Sequence, residues 1–125
     1  MAWCFEDEDD AYAEGVFDHL EQATALVPAL WKLEVANVML VALRHNRINQ
    51  GQADGFLAKL AQLPIESVDD ELSAAAAFEL GRRYALSSYD AAYLHVALAE
   101  SVPLATNDTA LRRAARKAQA GILTL

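Results

Sequence analysis

The chain alternates between apolar positions three and four residues apart and short unbroken apolar runs. Residues 9–23, DDAYAEGVFDHLEQA, place Ala13, Val16, Phe17 and Leu20 on one face and predict an amphipathic helix. ALVP (25–28) is a short extended run ending at a proline. LWKLEVANVMLVAL (30–43) then predicts a long helix ending near Arg44 to Arg47, apolar enough to be packed on most sides. Asn49 offers a cap for the helix QGQADGFLAKLAQL (50–63), and PIESV (64–68) is a second strand. Asp69 or Asp70 is placed to open ELSAAAAFELGRRYA (71–85), and Ser87 and Ser88 precede YDAAYLHVALAES (89–101). VPLAT (102–106) is a third strand, NDTALRRAARKAQA (107–120) a further helix, and GILTL (121–125) a last strand.

Helices alternating with short, uninterrupted apolar strands predict an α/β domain with a parallel sheet, since strands covered on both faces lose their polar alternation. The competing architecture is all-α, with the short runs as connectors. A chain of 125 residues with 54% hydrophobic content suits one domain spanning 1–125. No apolar run reaches the 18 residues of a membrane span, and MAWCFEDEDD has neither the basic nor the apolar region of a secretory signal. A single cysteine, Cys4, cannot close an internal disulfide, which fits a reducing, cytoplasmic setting.

The net charge of −8 is concentrated at one end: residues 1–21 hold eight acids and no Lys or Arg. The rest of the chain is balanced, with basic clusters at Arg82-Arg83 and Arg112-Arg113-Arg116-Lys117. Those clusters are either phosphate contacts or solvated helix faces.

Ligands of open α/β sheets sit beyond the carboxyl ends of the strands, so the residues that follow each strand carry the functional reading. Glu34 falls in the second turn of the helix after ALVP, amid apolar residues, with no basic residue three or four positions away. Burying a carboxylate there requires a partner, a proton or a metal. Asp108 opens the helix after VPLAT, and Asp90 lies in the first turn of the helix before it. Three carboxylates near one sheet edge suit Mg²⁺ or Mn²⁺, which take oxygen ligands. Each acid also has a structural role open to it. Ser87-x-x-Asp90 has the pattern of a capping box, Asn107-Asp108 suits a helix start, and Glu34 can be partly exposed. Asn37 is the polar neighbour of Glu34 at helical spacing. His19, His45 and His95 lack a paired metal spacing, Cys4 reads as a small apolar filler, and Trp3 and Trp31 read as core.

LWKLEVANVML, SSYDAAYLHVALAESVPLATND and ALRRAA, in that order, resemble PIN-domain ribonucleases of the VapC toxin type. The resemblance spans nearly the whole chain, and its most specific parts are the Ser-x-Tyr-Asp-Ala-x-Tyr-Leu and Leu-x-Thr-x-Asp runs. It implies a three-layer domain: a short-stranded, mostly parallel sheet flanked by helices. It implies a cluster of about four acids binding Mg²⁺ or Mn²⁺, with Glu34, Asp90 and Asp108 as catalytic metal ligands. Asn37 is expected to orient Glu34, and Thr106 matches the family's small hydroxyl residue. The resemblance also implies RNA as substrate, a homodimer, and a VapB antitoxin that covers the site. Members of that family begin with an apolar strand ending in Asp, ahead of a helix like AWCFEDE; here Met1 already stands at that helix, so the first strand and first aspartate are expected to be missing. Two rival readings stay open: a catalytically weakened module that only dimerises or binds an antitoxin, and a structural domain whose acids are caps.

Overall fold

In a computed structural model of the chain, Gly15, Asp18, Leu20 and residues 23–68 and 72–123 are described. Gly15, Asp18 and Leu20 have helical backbone, and Leu20 is buried, in keeping with the helix expected there. Trp3, Cys4, His19 and the expected openers Asp69 and Asp70 lie outside the described residues.

Strand β1 (Ala25–Pro28) pairs in parallel with β2 (Ile65–Val68), Ala25 opposite Ile65 and Pro28 opposite Val68. Between them run helices α1 (Trp31–Arg44) and α2 (Gln50–Ala61). A parallel pair needs a crossover of this kind, because its strands run the same way and the chain must return to the starting end. Helix α2 opens with a reciprocal cap: the Gln52 N–H donates to Asn49 Oδ1 at 2.8 Å and the Asn49 N–H donates to Gln52 Oε1 at 2.9 Å. Helices α3 (Ala74–Tyr84), α4 (Ser88–Glu100) and α5 (Thr109–Lys117) follow. Ser73 caps α3, its Oγ accepting from the Ala76 N–H at 3.1 Å.

The α/β expectation holds, and the all-α alternative is excluded by the parallel pair. The two later strands are much shorter than their apolar runs suggest. Among the described residues VPLAT and GILTL meet in one parallel bridge, Leu104 with Ile122. The Leu104 N–H donates to the Gly121 carbonyl at 2.8 Å, and the Leu123 N–H donates to the Leu104 carbonyl at 3.0 Å. Pro103 has no N–H to extend that ladder. The described sheet is thus in two halves, β1–β2 and the 104–122 bridge.

Among the described residues the core falls into two clusters as well. Leu94, Ala97, Leu104, Leu111, Ala114 and Ala115 form one; Val27, Trp31, Val35 and Leu60 form the other. Tyr93 packs against both. Helix α1 is not packed on most sides as its composition suggests. It buries Trp31, Val35, Met39 and Ala42, while Leu33 is 75% exposed and Leu40 and Val41 on the same stripe are also exposed.

Candidate active site

Pro28 ends β1, and two turn residues later α1 begins, so Glu34 stands in the first turn of α1, not the second. A carboxylate there meets the positive end of the helix dipole. Glu34 is half-buried, and its Oε1 accepts a hydrogen bond from the Tyr93 hydroxyl of α4. The partner missing from the Glu34 helix is therefore supplied 59 residues away. Asn37 is exposed one turn further along α1, and the hydrogen bond seen on Glu34 comes from the Tyr93 hydroxyl.

Asp90 lies one turn before Tyr93 on α4, a spacing that puts the two on one face. Ser87 caps this helix, its Oγ accepting from the Asp90 N–H at 3.1 Å. The reciprocal half of a capping box, seen at Asn49 and Gln52, is not formed here. The cap is the work of Ser87, and the Asp90 carboxylate is not used in it.

Asp108 has a structural duty: its Oδ2 accepts from the Leu111 N–H at 2.8 Å and caps α5. The turn before it is pinned twice. Thr106 Oγ1 accepts from the Asp108 N–H at 3.1 Å, and the Thr106 carbonyl accepts from Arg112 Nε at 2.8 Å. Thr106 thus sets the backbone that presents Asp108. Arg112 is spent on that turn, and Arg82 on Glu79, whose carboxyl it holds below the usual range through a hydrogen bond at 2.5 Å. Arg113, Arg116 and Lys117 remain exposed along α5.

Among the described residues no three of His, Cys, Asp and Glu stand close enough to hold one metal ion. Glu34 gives one oxygen to Tyr93 and Asp108 gives one to a helix cap. These acids therefore do not by themselves make the cage that Mg²⁺ or Mn²⁺ takes. At the carboxyl ends of β1 and β2 runs a groove of about 280 Å³ lined by Pro28, Val68, Ser88, Tyr89, Ala92 and His95, and none of the three acids lines it. His95 lies on that side of α4, away from Tyr93 and Asp90, as its five-residue separation from Asp90 requires. Tyr93 is the residue that sequence reading passes over. Its signal was present: it stands three positions after Asp90 in the same helical run.

The family model described as PIN domain matches residues 1–117. PIN domains are in general nucleases and usually use divalent metal ions. No curated protein matches the chain. No helix of the described residues is long and apolar enough to cross a membrane.

Proposed function

We propose, on the premise that this chain belongs to the PIN-domain family, that it is a divalent-metal-dependent endoribonuclease of the VapC toxin type, folded as one domain over 1–125. Its cofactor in this reading is Mg²⁺ or Mn²⁺, its substrate RNA, and its setting the cytoplasm. It works as a homodimer and is held in check by a VapB-like antitoxin.

The observation that carries the reading is that the Tyr93 hydroxyl of α4 holds Glu34 of α1, that Asp90 stands three residues before Tyr93 on the same helix, and that the Asp90 carboxylate takes no part in the cap of that helix. Glu34, Asp90 and Asp108 are the acids we assign to catalysis and metal binding. Thr106 supports them by fixing the backbone at Asp108, and Asn37 flanks Glu34. A divalent ion, when bound, lowers the pKa of a water and neutralises phosphate charge. The side chains divide the remaining work. Tyr93 fixes the direction of Glu34, Ser87 leaves Asp90 free by capping in its place, and the exposed cations of α5 meet backbone phosphates.

The incomplete cage favours a second reading: a weakened module that dimerises or binds an antitoxin without cleaving RNA. The two separate in one assay, cleavage of a single-stranded RNA pool in Mn²⁺ by the 125-residue chain and by Asp90→Asn. Weak cleavage abolished by the substitution supports the nuclease. No cleavage, or cleavage indifferent to Asp90, supports the module.

A further inference from the structure

We infer that α5 captures a single nucleic-acid strand by its phosphates, with no need of a bound metal ion, through Arg113, Arg116 and Lys117, and leads it past Asp108. The inference deepens the nuclease reading and rests on it for the role of Asp108; the capture itself does not need cleavage.

The two basic clusters of the sequence are used differently in the fold. Arg82 is paired with Glu79 at 2.5 Å, and the Arg83 guanidinium lies over the Tyr84 ring, 5.5 Å from its centroid. In the second cluster Arg112 donates from Nε to the Thr106 carbonyl. Among the described residues no acid pairs with Arg113, Arg116 or Lys117, and α5 itself contains none.

Burial fixes the side on which these three stand. Leu111, Ala114 and Ala115 of α5 are buried, while 113, 116 and 117 are exposed and spaced three and four apart, so they form one outward stripe. Arg116 and Lys117 fall in the last turn, where cations meet the negative end of the helix dipole. That structural role does not extend to Arg113, in the middle of the helix. Like charges on one stripe repel, and a row of phosphates relieves the repulsion while releasing counterions. The chain as a whole carries a charge of −8, so attraction of a polyanion has to be local, as this stripe is.

The stripe is also locked to the acid. Asp108 Oδ2 caps α5, and Arg112 ties the helix to the turn before it. At 1.5 Å of rise per residue, Arg113 lies about 7.5 Å and Lys117 about 13.5 Å beyond Asp108 along the axis. A strand held on the stripe therefore runs toward Asp108, whose carboxylate repels a phosphate unless a cation stands between them. Phosphate contacts carry no sequence information, so the capture is indifferent to base and sugar.

The probe is a fluorescein-labelled oligouridylate, titrated with the full chain in EDTA over a range of salt concentrations. For single strands the logarithm of the binding constant falls with the logarithm of salt by about 0.7 per neutralised phosphate. Arg113→Gln, Arg116→Gln and Lys117→Gln are each expected to reduce that slope by about 0.7, and the triple substitution by about 2. Arg113→Lys is expected to keep the slope, and Arg44→Gln, at the exposed end of α1, to leave it unchanged. Asp108→Asn, which preserves the cap, is expected to tighten binding in EDTA by roughly threefold at low salt. Asp54→Asn, an exposed acid of α2, is expected to change it little. An oligothymidylate of deoxyribose and equal length is expected to bind as well as the oligouridylate. No binding at low salt overturns the proposal, as does a slope untouched by the triple substitution, or a preference for ribose that disappears with it. An Asp108→Asn variant that binds like wild type overturns the path past Asp108. A chain that captures the strand with these slopes but does not cleave it in Mn²⁺ supports the capture and removes the nuclease reading.

Discussion

The Tyr93 hydroxyl donates to Glu34 Oε1 and ties α4 to α1. Tyr93 also touches both core clusters, so its ring is fixed by packing while its hydroxyl fixes a carboxylate. Losing a hydrogen bond to a charged group costs about 1.5–3 kcal/mol, and Glu34 is only half-buried, so Tyr93→Phe is expected to cost about 1–2 kcal/mol. Glu34→Gln keeps an acceptor for the hydroxyl and is expected to cost less. A double-mutant cycle by chemical denaturation checks this: additive effects for Tyr93→Phe and Glu34→Ala would mean the bond contributes nothing.

The capping duties of the two late acids differ, and stability separates them. Asp108→Ala removes a cap and is expected to cost about 1 kcal/mol, while Asp108→Asn, an equally good cap, is expected to be near neutral. Ser87→Ala is also expected to cost about 1 kcal/mol, whereas Asp90→Ala changes stability little because its carboxylate makes no cap. If Asp90→Ala destabilises as much as Ser87→Ala, the acid is structural and its catalytic assignment falls.

Leu33, Leu40 and Val41 form an exposed stripe on α1. An apolar face of this kind is buried in an isologous dimer. Sedimentation at micromolar concentration is expected to report a homodimer, and Leu40→Lys a monomer of unchanged fold. A wild-type monomer at that concentration removes the dimer from the proposal.

The turn between α3 and α4 makes opposite demands on two neighbouring residues. A Cβ on Gly81 would lie 2.8 Å from the Leu86 carbonyl oxygen, and the Leu86 N–H itself donates to Gly81 O at 2.9 Å. Gly81→Ala is therefore expected to destabilise despite its better helix propensity. Ala85 ends α3 at φ 55°, in the left-handed region that glycine adopts without penalty. Ala85→Gly is expected to stabilise by up to about 1 kcal/mol, read as a raised thermal midpoint. The reverse order of the two midpoints would show that the turn relaxes.

The hydrophobic pattern by itself determined the alternation of helices with short strands, the positions of β1 and β2, and the caps at Asn49, Ser87 and Asp108. These depend on periodicity and on hydrogen bonds that reach three residues, which are local. The sequence also carried the resemblance that the family match upholds at the level of the PIN domain, and it pointed to Glu34, Asp90 and Asp108.

Tertiary structure decided the rest. Composition made α1 look buried all round, but only one stripe faces the core, because whether an apolar residue finds a neighbour depends on distant elements. VPLAT and GILTL look like full strands, yet pairing needs a partner at the right edge, and among the described residues theirs is one bridge. The carboxylate that seemed unpaired on its own helix is met by a hydroxyl 59 residues away, a contact that no spacing rule along the chain contains, because it exists only once two helices have packed.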